Sequence, residues 1–272
     1  MGMFVIAGGN GGIGLQVGRD LLARGHNVLL LGRNRKKGAE ALASLGDAHD
    51  RAEFLSVDLS THAGVRTAAE LISSRLDQID GLLHSAAVFE TGNVRTEDDI
   101  PLFAALSFYS RYHLTQLLMP KLLKAPHPRV MMFIAGLPST PTIDPAPFPY
   151  FRDFSFFKHV IPLNGACLYL ADHLMKQHPQ LFAGCATPGF VRTGIFDTAP
   201  WYLRAYVALT APFRAIKVET AASNVVQALL GAEGKSARMW TKPGDYKAGY
   251  DVVADPVVEQ RIMQAARTIT GA

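Results

Sequence analysis

The residues of this chain with the plainest chemical capacity stand near its start. Ala7-Gly8-Gly9-Asn10-Gly11-Gly12-Ile13-Gly14 follows an apolar run and opens a segment of helical period. That is the context a phosphate-binding loop requires. Glycines let the backbone approach a pyrophosphate, and the free N–H groups at a helix start bind its charge. Gly8, Asn10, Gly12, Ile13 and Gly14 are therefore the first candidate ligand-binding residues. A second resource is the basic cluster Arg33, Arg35, Lys36 and Lys37. It suits a phosphate better than a nucleic-acid backbone, which wants a longer basic face. Cys167 and Cys185 share no metal-ligand spacing, and two cysteines in so long a chain make no disulfide framework, so a reduced compartment and no metal site are expected.

These groups need a scaffold, and the hydropathy pattern supplies one. Apolar runs of strand length alternate with helical segments, which predicts βαβ units and a doubly wound parallel α/β sheet. Strands are expected at Met3 to Ala7, Asn27 to Leu31, Ala52 to Val57, Gly81 to Ser85, Val130 to Ile134 and Leu181 to Thr187. Helices are expected at Ile13 to Arg24, Gly64 to Leu76, Ile100 to Leu123 and Pro162 to Gln177, with Pro162 as the first residue of the last one. One domain over residues 1–272 is expected, with two departures from the rhythm. Residues 137–160 carry many prolines and aromatics, among them Tyr150, Phe151 and Phe154, and read as an ordered functional loop. Residues 194–218, with Trp201, Tyr202 and Phe213, read as an apolar lid.

The spacing of Gly8, Gly12 and Gly14 resembles the TGxxxGxG of short-chain dehydrogenases, with Ala7 in place of Thr. Asp58-Leu59 ends the third strand where that family places an Asp near the adenine. Pro188-Gly189-Phe190-Val191-Arg192-Thr193 is similar to its PGxVxT motif beside the nicotinamide. The resemblance implies a Rossmann fold and a nicotinamide cofactor, and it adds Asp58, Leu59, Ser85, Ala86, Ala87, Pro188, Gly189, Val191 and Thr193 to the binding set. The second strand ends Leu31-Gly32-Arg33-Asn34, so no carboxylate is present for a ribose 2′-hydroxyl. Arg33 instead offers a planar fork that matches a 2′-phosphate, with Asn34 and Lys37 beside it, which points to NADP(H).

The same resemblance implies a catalytic Asn, Ser and YxxxK pair, in which the Tyr works as acid or base beside the Lys. The chain does not supply them. Ser107 falls at the Asn, Ala135 at the Ser, and counting back from Pro188 puts Ile161 and Gly165 at the Tyr and Lys. The GRNxKKG exit, the Phe108-Tyr109-Ser110-Arg111-Tyr112 segment and Thr187 to Ile195 resemble a fungal-type branch. Enzymes similar to that branch act in indole-alkaloid pathways as combined reductases and Diels–Alder cyclases, without the tyrosine and through an Arg and an Asp. Carried onto this chain, those roles fall to Arg129 and Asp153, with His159 as a further proton donor. Tyr109 and Tyr112 lie on the long helix that makes dimer contacts in the superfamily, so packing is their expected role. Reducing a ketone creates an alkoxide that needs a proton, whereas reducing an iminium needs only hydride. A carboxylate such as Asp153 would stabilise the cation.

The expectation is thus an NADP(H)-dependent oxidoreductase of secondary metabolism acting on a small apolar or aromatic substrate, an imine or iminium above all, and steering its cyclisation. A non-redox cyclase or isomerase that keeps the cofactor, and an NADP(H)-binding pseudoenzyme, are the rivals. Hydrophobic residues make up 49% of the chain, the mean hydropathy is +0.12 and the net charge is +4. That balance excludes a disordered chain. No nucleic-acid partner, no membrane span, a cytoplasmic location and a homo-oligomer complete the expectation.

Overall fold

A computed structural model describes residues 1–90, 92–134, 143–146, 148–152, 154–191, 201, 204–205, 208–209, 215–231, 236–240 and 249–272. Among the described residues eight strands form one sheet in the order β3-β2-β1-β4-β5-β6-β7-β8. They are β1 (Met3–Ala7), β2 (Asn27–Gly32), β3 (Ala52–Ser56), β4 (Gly81–His84), β5 (Arg129–Phe133), β6 (Phe182–Ala186), β7 (Arg238–Trp240) and β8 (Tyr250–Asp251). All neighbours pair in parallel except β7 and β8. Strands buried on both faces read as continuous apolar runs, and Val5, Ile6, Leu30, Leu31, Leu82 and Val130 of the central strands are fully enclosed. The chain leaves β1 towards β2 and β3, then returns to the other side of β1 as β4. A crevice opens at such a reversal, outside the carboxyl ends of the strands.

The helices are α1 (Gly12–Ala23), α2 (Arg35–Ala43), α3 (His62–Arg75), α4 (Leu102–Ala104), α5 (Ser110–Leu122), α6 (Phe156–Gln177), α7 (Val218–Gly231) and α8 (Pro256–Thr270). Several carry their own start signals. Asn34 accepts from Lys37 N at the head of α2, and Thr61 accepts from Gly64 N at the head of α3. Asp255 accepts from Val257 N and Val258 N before Pro256, and Gly271 closes α8 in the left-handed region, the arrangement such residues favour. Glu259 holds α8 against α6 through His173 and Lys176.

Two helices depart from the sequence expectation. The predicted helix from residue 100 to 123 is broken by a wholly buried π-turn, Ala105–Tyr109, between α4 and α5. Such a turn inserts a residue and re-aims the side chains around it. The helix expected to start at Pro162 starts at Phe156, with Pro162 inside it. Phe156 packs on Phe89 and Phe103, and that burial outweighs the backbone bond that proline forfeits. Residues 156–160, expected in the aromatic loop, are therefore helical. Among the described residues no helix is long and apolar enough to cross a membrane.

Candidate functional site

The glycine loop follows β1 and presses against the chain beyond β4. Gly8 has φ of 81°, and a Cβ there would lie 2.5 Å from Ala86 N. A Cβ on Gly14 would lie 2.3 Å from Gly8 O and 3.0 Å from Ser85 Oγ. These contacts fix the loop on the first turn of α1 and explain two of the three glycines in the motif. Gly11 is different, because a Cβ there would meet nothing within 4 Å. It caps α1 with no side-chain hydrogen bond. The space beside Gly11, at the positive end of the helix dipole, is thus open. Gly12 (φ 52°) and Ile13 complete that turn. The glycines and Ile13 read from the sequence thus form one turn at the head of α1.

The described members of the rest of the binding set follow the carboxyl ends of β2, β3, β4 and β6. Asn10 lies against Gly32, whose Cβ would stand 2.7 Å from Asn10 Cγ, so the loop touches the exit of β2. Arg33 follows, exposed, and no hydrogen bond or ion pair engages its guanidinium among the described residues. Its fork is available to a phosphate. Asn34 spends its side-chain oxygen on the α2 cap at 2.9 Å, and Lys37 supplies the N–H; only the Lys37 ammonium remains to add positive field. Asp58 accepts from Ser60 N at 2.8 Å and from Ser60 Oγ at 2.7 Å, closing a turn at the exit of β3, while Leu59 is buried. Ser85 N–H donates to Ala7 O, and Ala87 is exposed one residue beyond Ala86. After β6, Pro188 leads into Gly189 with φ of 83°, and Val191 bridges to Ile216. Thr193 lies outside the described residues.

Of the proposed catalytic residues, the structure describes Arg129 and His159. Arg129 is the first residue of β5, so it stands at the amino edge of the sheet, about 13 Å of strand away from Phe133 at the crevice edge. Asp153 and Ala135 lie outside the described residues. His159 accepts from Ser155 N at the head of α6 and stacks on Tyr150 at 4.8 Å; burial, then Lys158, lowers its pKa. Ile161, aligned with the missing tyrosine, is 51% exposed, whereas Gly165, aligned with the lysine, is buried. The aromatic segment does not stand open as a wall. Tyr150 and Phe154 are in the core, Phe154 lies near Phe103, and Phe151 is edge-on to Tyr109. Trp201, expected in a lid, is 79% exposed.

The π-turn is where the sequence reading fell short. Ser107, at the family's Asn position, is buried, and its carbonyl accepts from Cys167 Sγ at 3.1 Å. Tyr109 is buried, and its hydroxyl has no hydrogen-bond partner among the described residues; burial, then Tyr150, pushes its phenol well above the ordinary value. Arg111, just past the turn, is 3% exposed. Its guanidinium donates to Leu106 O, Phe133 O and Ala86 O and touches Cys167 Sγ. The only signal for it was an arginine set among the aromatic residues Phe108, Tyr109 and Tyr112. Among the described residues no cluster of three or more His, Cys, Asp and Glu side chains is placed to hold a metal ion.

Comparison with known proteins places this geometry. Residues 3–135 match the family model described as short chain dehydrogenase. The short-chain dehydrogenase/reductase prx1 of Penicillium roqueforti is 31% identical over 137 residues, which is 50% of this chain and 40% of that protein. The chain thus spans well under two thirds of the length of such curated relatives. Among solved structures, a putative uncharacterized protein from Mycobacterium paratuberculosis superposes with a TM-score of 0.75 at 19% identity, covering 100% of this chain and 94% of the other. The Pseudomonas aeruginosa RhlG/NADP active-site complex does so with a TM-score of 0.68 at 19% identity, covering 90% and 95%.

Proposed function

The chain belongs to the short-chain dehydrogenase/reductase superfamily as a divergent member, and from that premise we propose that it is an NADP(H)-dependent oxidoreductase acting on an imine, an iminium ion or another activated apolar substrate. The observation that carries the cofactor half is the open cradle at Gly11 beside an unengaged Arg33. Gly8, Gly12, Ile13 and Gly14 would hold the pyrophosphate, Arg33 and Lys37 the 2′-phosphate, and Pro188, Gly189 and Val191 the nicotinamide end. The bound cofactor supplies a hydride. The protein's own part is to hold the acceptor at the strand ends and exclude water.

The substrate half follows from the buried acids that the described residues supply. A general acid works best with a pKa near the working pH. Burial pushes the Tyr109 phenol and the Cys167 and Cys185 thiols up and the His84 imidazole down. None of them is an acid matched to neutral pH. An acceptor that needs only hydride suits such a site, and an iminium is one; Asp153 is the carboxylate we assign to face the cation. The burial of Tyr150 and Phe154 favours a second reading, in which the cofactor is retained without net redox chemistry.

The test follows NADPH absorbance with a panel of cyclic imines and simple ketones. The reading expects NADPH consumption with imines and none with ketones. Ketone turnover at the rate of an ordinary member would overturn the substrate half, and cofactor binding without any turnover would favour the second reading.

A further inference from the structure

Arg111 has no part in the function proposed above, yet it is a charged side chain only 3% exposed. Its guanidinium sits 3.2 Å from Leu106 O, 3.7 Å from Cys167 Sγ and 3.5 Å from Ala86 O, and it also bonds Phe133 O. Every partner is neutral, and among the described residues no carboxylate pairs with it. A buried charge without a counter-ion is unfavourable. The ionisable groups packed near it come from three other elements: His84 on β4, Cys167 on α6 and Cys185 on β6. Burial keeps all three uncharged, with His84 lowered to about 3, so among the described residues the cation is met by carbonyl dipoles and by no ionised group.

Its place in the fold gives the charge a use. Phe133 is the last residue of β5, and Ala86 lies just past β4, against the Gly8 loop. Both carbonyls stand at the carboxyl edge, along which a dinucleotide that starts at the cradle must run. Arg111 draws those two oxygens, the negative ends of their dipoles, towards itself. It also places a permanent positive charge beneath that edge. The oxidised nicotinamide ring is a cation, and the reduced ring is neutral. Only the oxidised ring is disfavoured by such a field.

We propose that Arg111 sets which oxidation state of the cofactor the protein holds, favouring NADPH over NADP+ by repelling the cationic ring. The inference rests on the cofactor reading above. Arg111 is a positioning residue that acts through its field and through the carbonyls it orients, so its removal changes a ratio of affinities and not only stability.

The experiment measures dissociation constants of NADPH, NADP+ and ring-less 2′-phospho-ADP-ribose for wild type, Arg111→Lys, Arg111→Gln and Arg111→Met, with thermal unfolding of each. Wild type should bind NADPH about tenfold more tightly than NADP+, a difference of about 1.4 kcal/mol. Arg111→Lys should keep most of that preference, because the charge stays while the fork is lost. Arg111→Gln and Arg111→Met should bring the two affinities close to parity. Should the neutral variants not fold, wild type alone still decides, because NADP+ should then bind no more tightly than the ring-less ligand. Equal wild-type affinities for NADPH and NADP+, an unchanged ratio in Arg111→Gln, or NADP+ binding far tighter than the ring-less ligand would overturn the inference and leave the cofactor reading standing. If wild type binds none of the three, the cofactor reading itself fails and takes this inference with it.

Discussion

Gly11→Ala and Gly14→Ala, three residues apart in one loop, should have opposite consequences. The Cβ added by Gly14→Ala would stand 2.3 Å from Gly8 O, where ordinary contacts begin at about 3.4 Å. The loop and α1 must therefore separate by about 1 Å against backbone atoms on both sides. Overpacking of this kind costs about 2 kcal/mol or more, which in a chain of this size lowers Tm by roughly 4–8 °C. The Cβ added by Gly11→Ala would meet nothing within 4 Å, and Gly11 is extended, with φ of 174°. Any residue adopts that conformation, so Gly11→Ala should leave Tm unchanged or raise it slightly by restricting the unfolded chain. The new methyl group nevertheless occupies the space over the helix N–H groups, and NADPH affinity should fall by roughly tenfold or more. Thermal unfolding with and without NADPH, together with a fluorescence titration, reads both quantities. Wild-type NADPH affinity in a well-folded Gly11→Ala protein would refute the cradle, and a wild-type Tm for Gly14→Ala would refute the packing argument.

Arg33→Ala should remove charge-assisted hydrogen bonds worth about 1.5–3 kcal/mol, weakening NADPH by roughly tenfold to a hundredfold while leaving NADH unchanged in the same titration; an equal loss for both cofactors would place Arg33 elsewhere. Glu259→Gln should lower urea stability by about 1–3 kcal/mol, since Glu259 is buried and bonded to His173 at 2.9 Å and to Lys176 at 2.6 Å, with NADPH binding untouched. Stability should also fall with acid. His84 is lowered to about 3, by burial and then Arg111, and His113 to about 4, by burial and then His62. Both stay neutral in the fold but protonate near 6.5 when unfolded, so their contribution is complete above that pH. Below it, each histidine removes up to about 1.4 kcal/mol per pH unit, until the folded value is reached. Urea unfolding between neutral pH and about pH 5 measures the slope, and a flat profile would contradict the burial argument.

The strands that lie inside the sheet were legible because their runs are apolar on both faces. The first strand was placed at Met3 to Ala7, where β1 is found. The glycine cradle was equally legible, since its spacing is forced by close backbone approach. What escaped the sequence were features set by tertiary packing. β7 and β8 have three and two residues, too few to show a period. The start of α6 was misread because Pro162 is a helix-start signal that the burial of Phe156 overrides. The π-turn at Ala105–Tyr109 leaves no mark in hydropathy, because every residue in it is buried. Arg129 was carried over from similar enzymes, and it begins β5. Signals for α8 were present in Asp255, Pro256 and Gly271 and were not used. Asp153 and Thr193 lie outside the described residues, so the geometry bears on neither.

The central claim is that the Gly8–Gly14 cradle and Arg33 hold the phosphates of NADP(H). Titrating wild-type protein with NADPH and NADH side by side, by cofactor fluorescence at moderate salt, tests it most directly. The account predicts saturable NADPH binding at least tenfold tighter than NADH. Equal affinities would contradict the role of Arg33, and no binding of either cofactor would contradict the account as a whole.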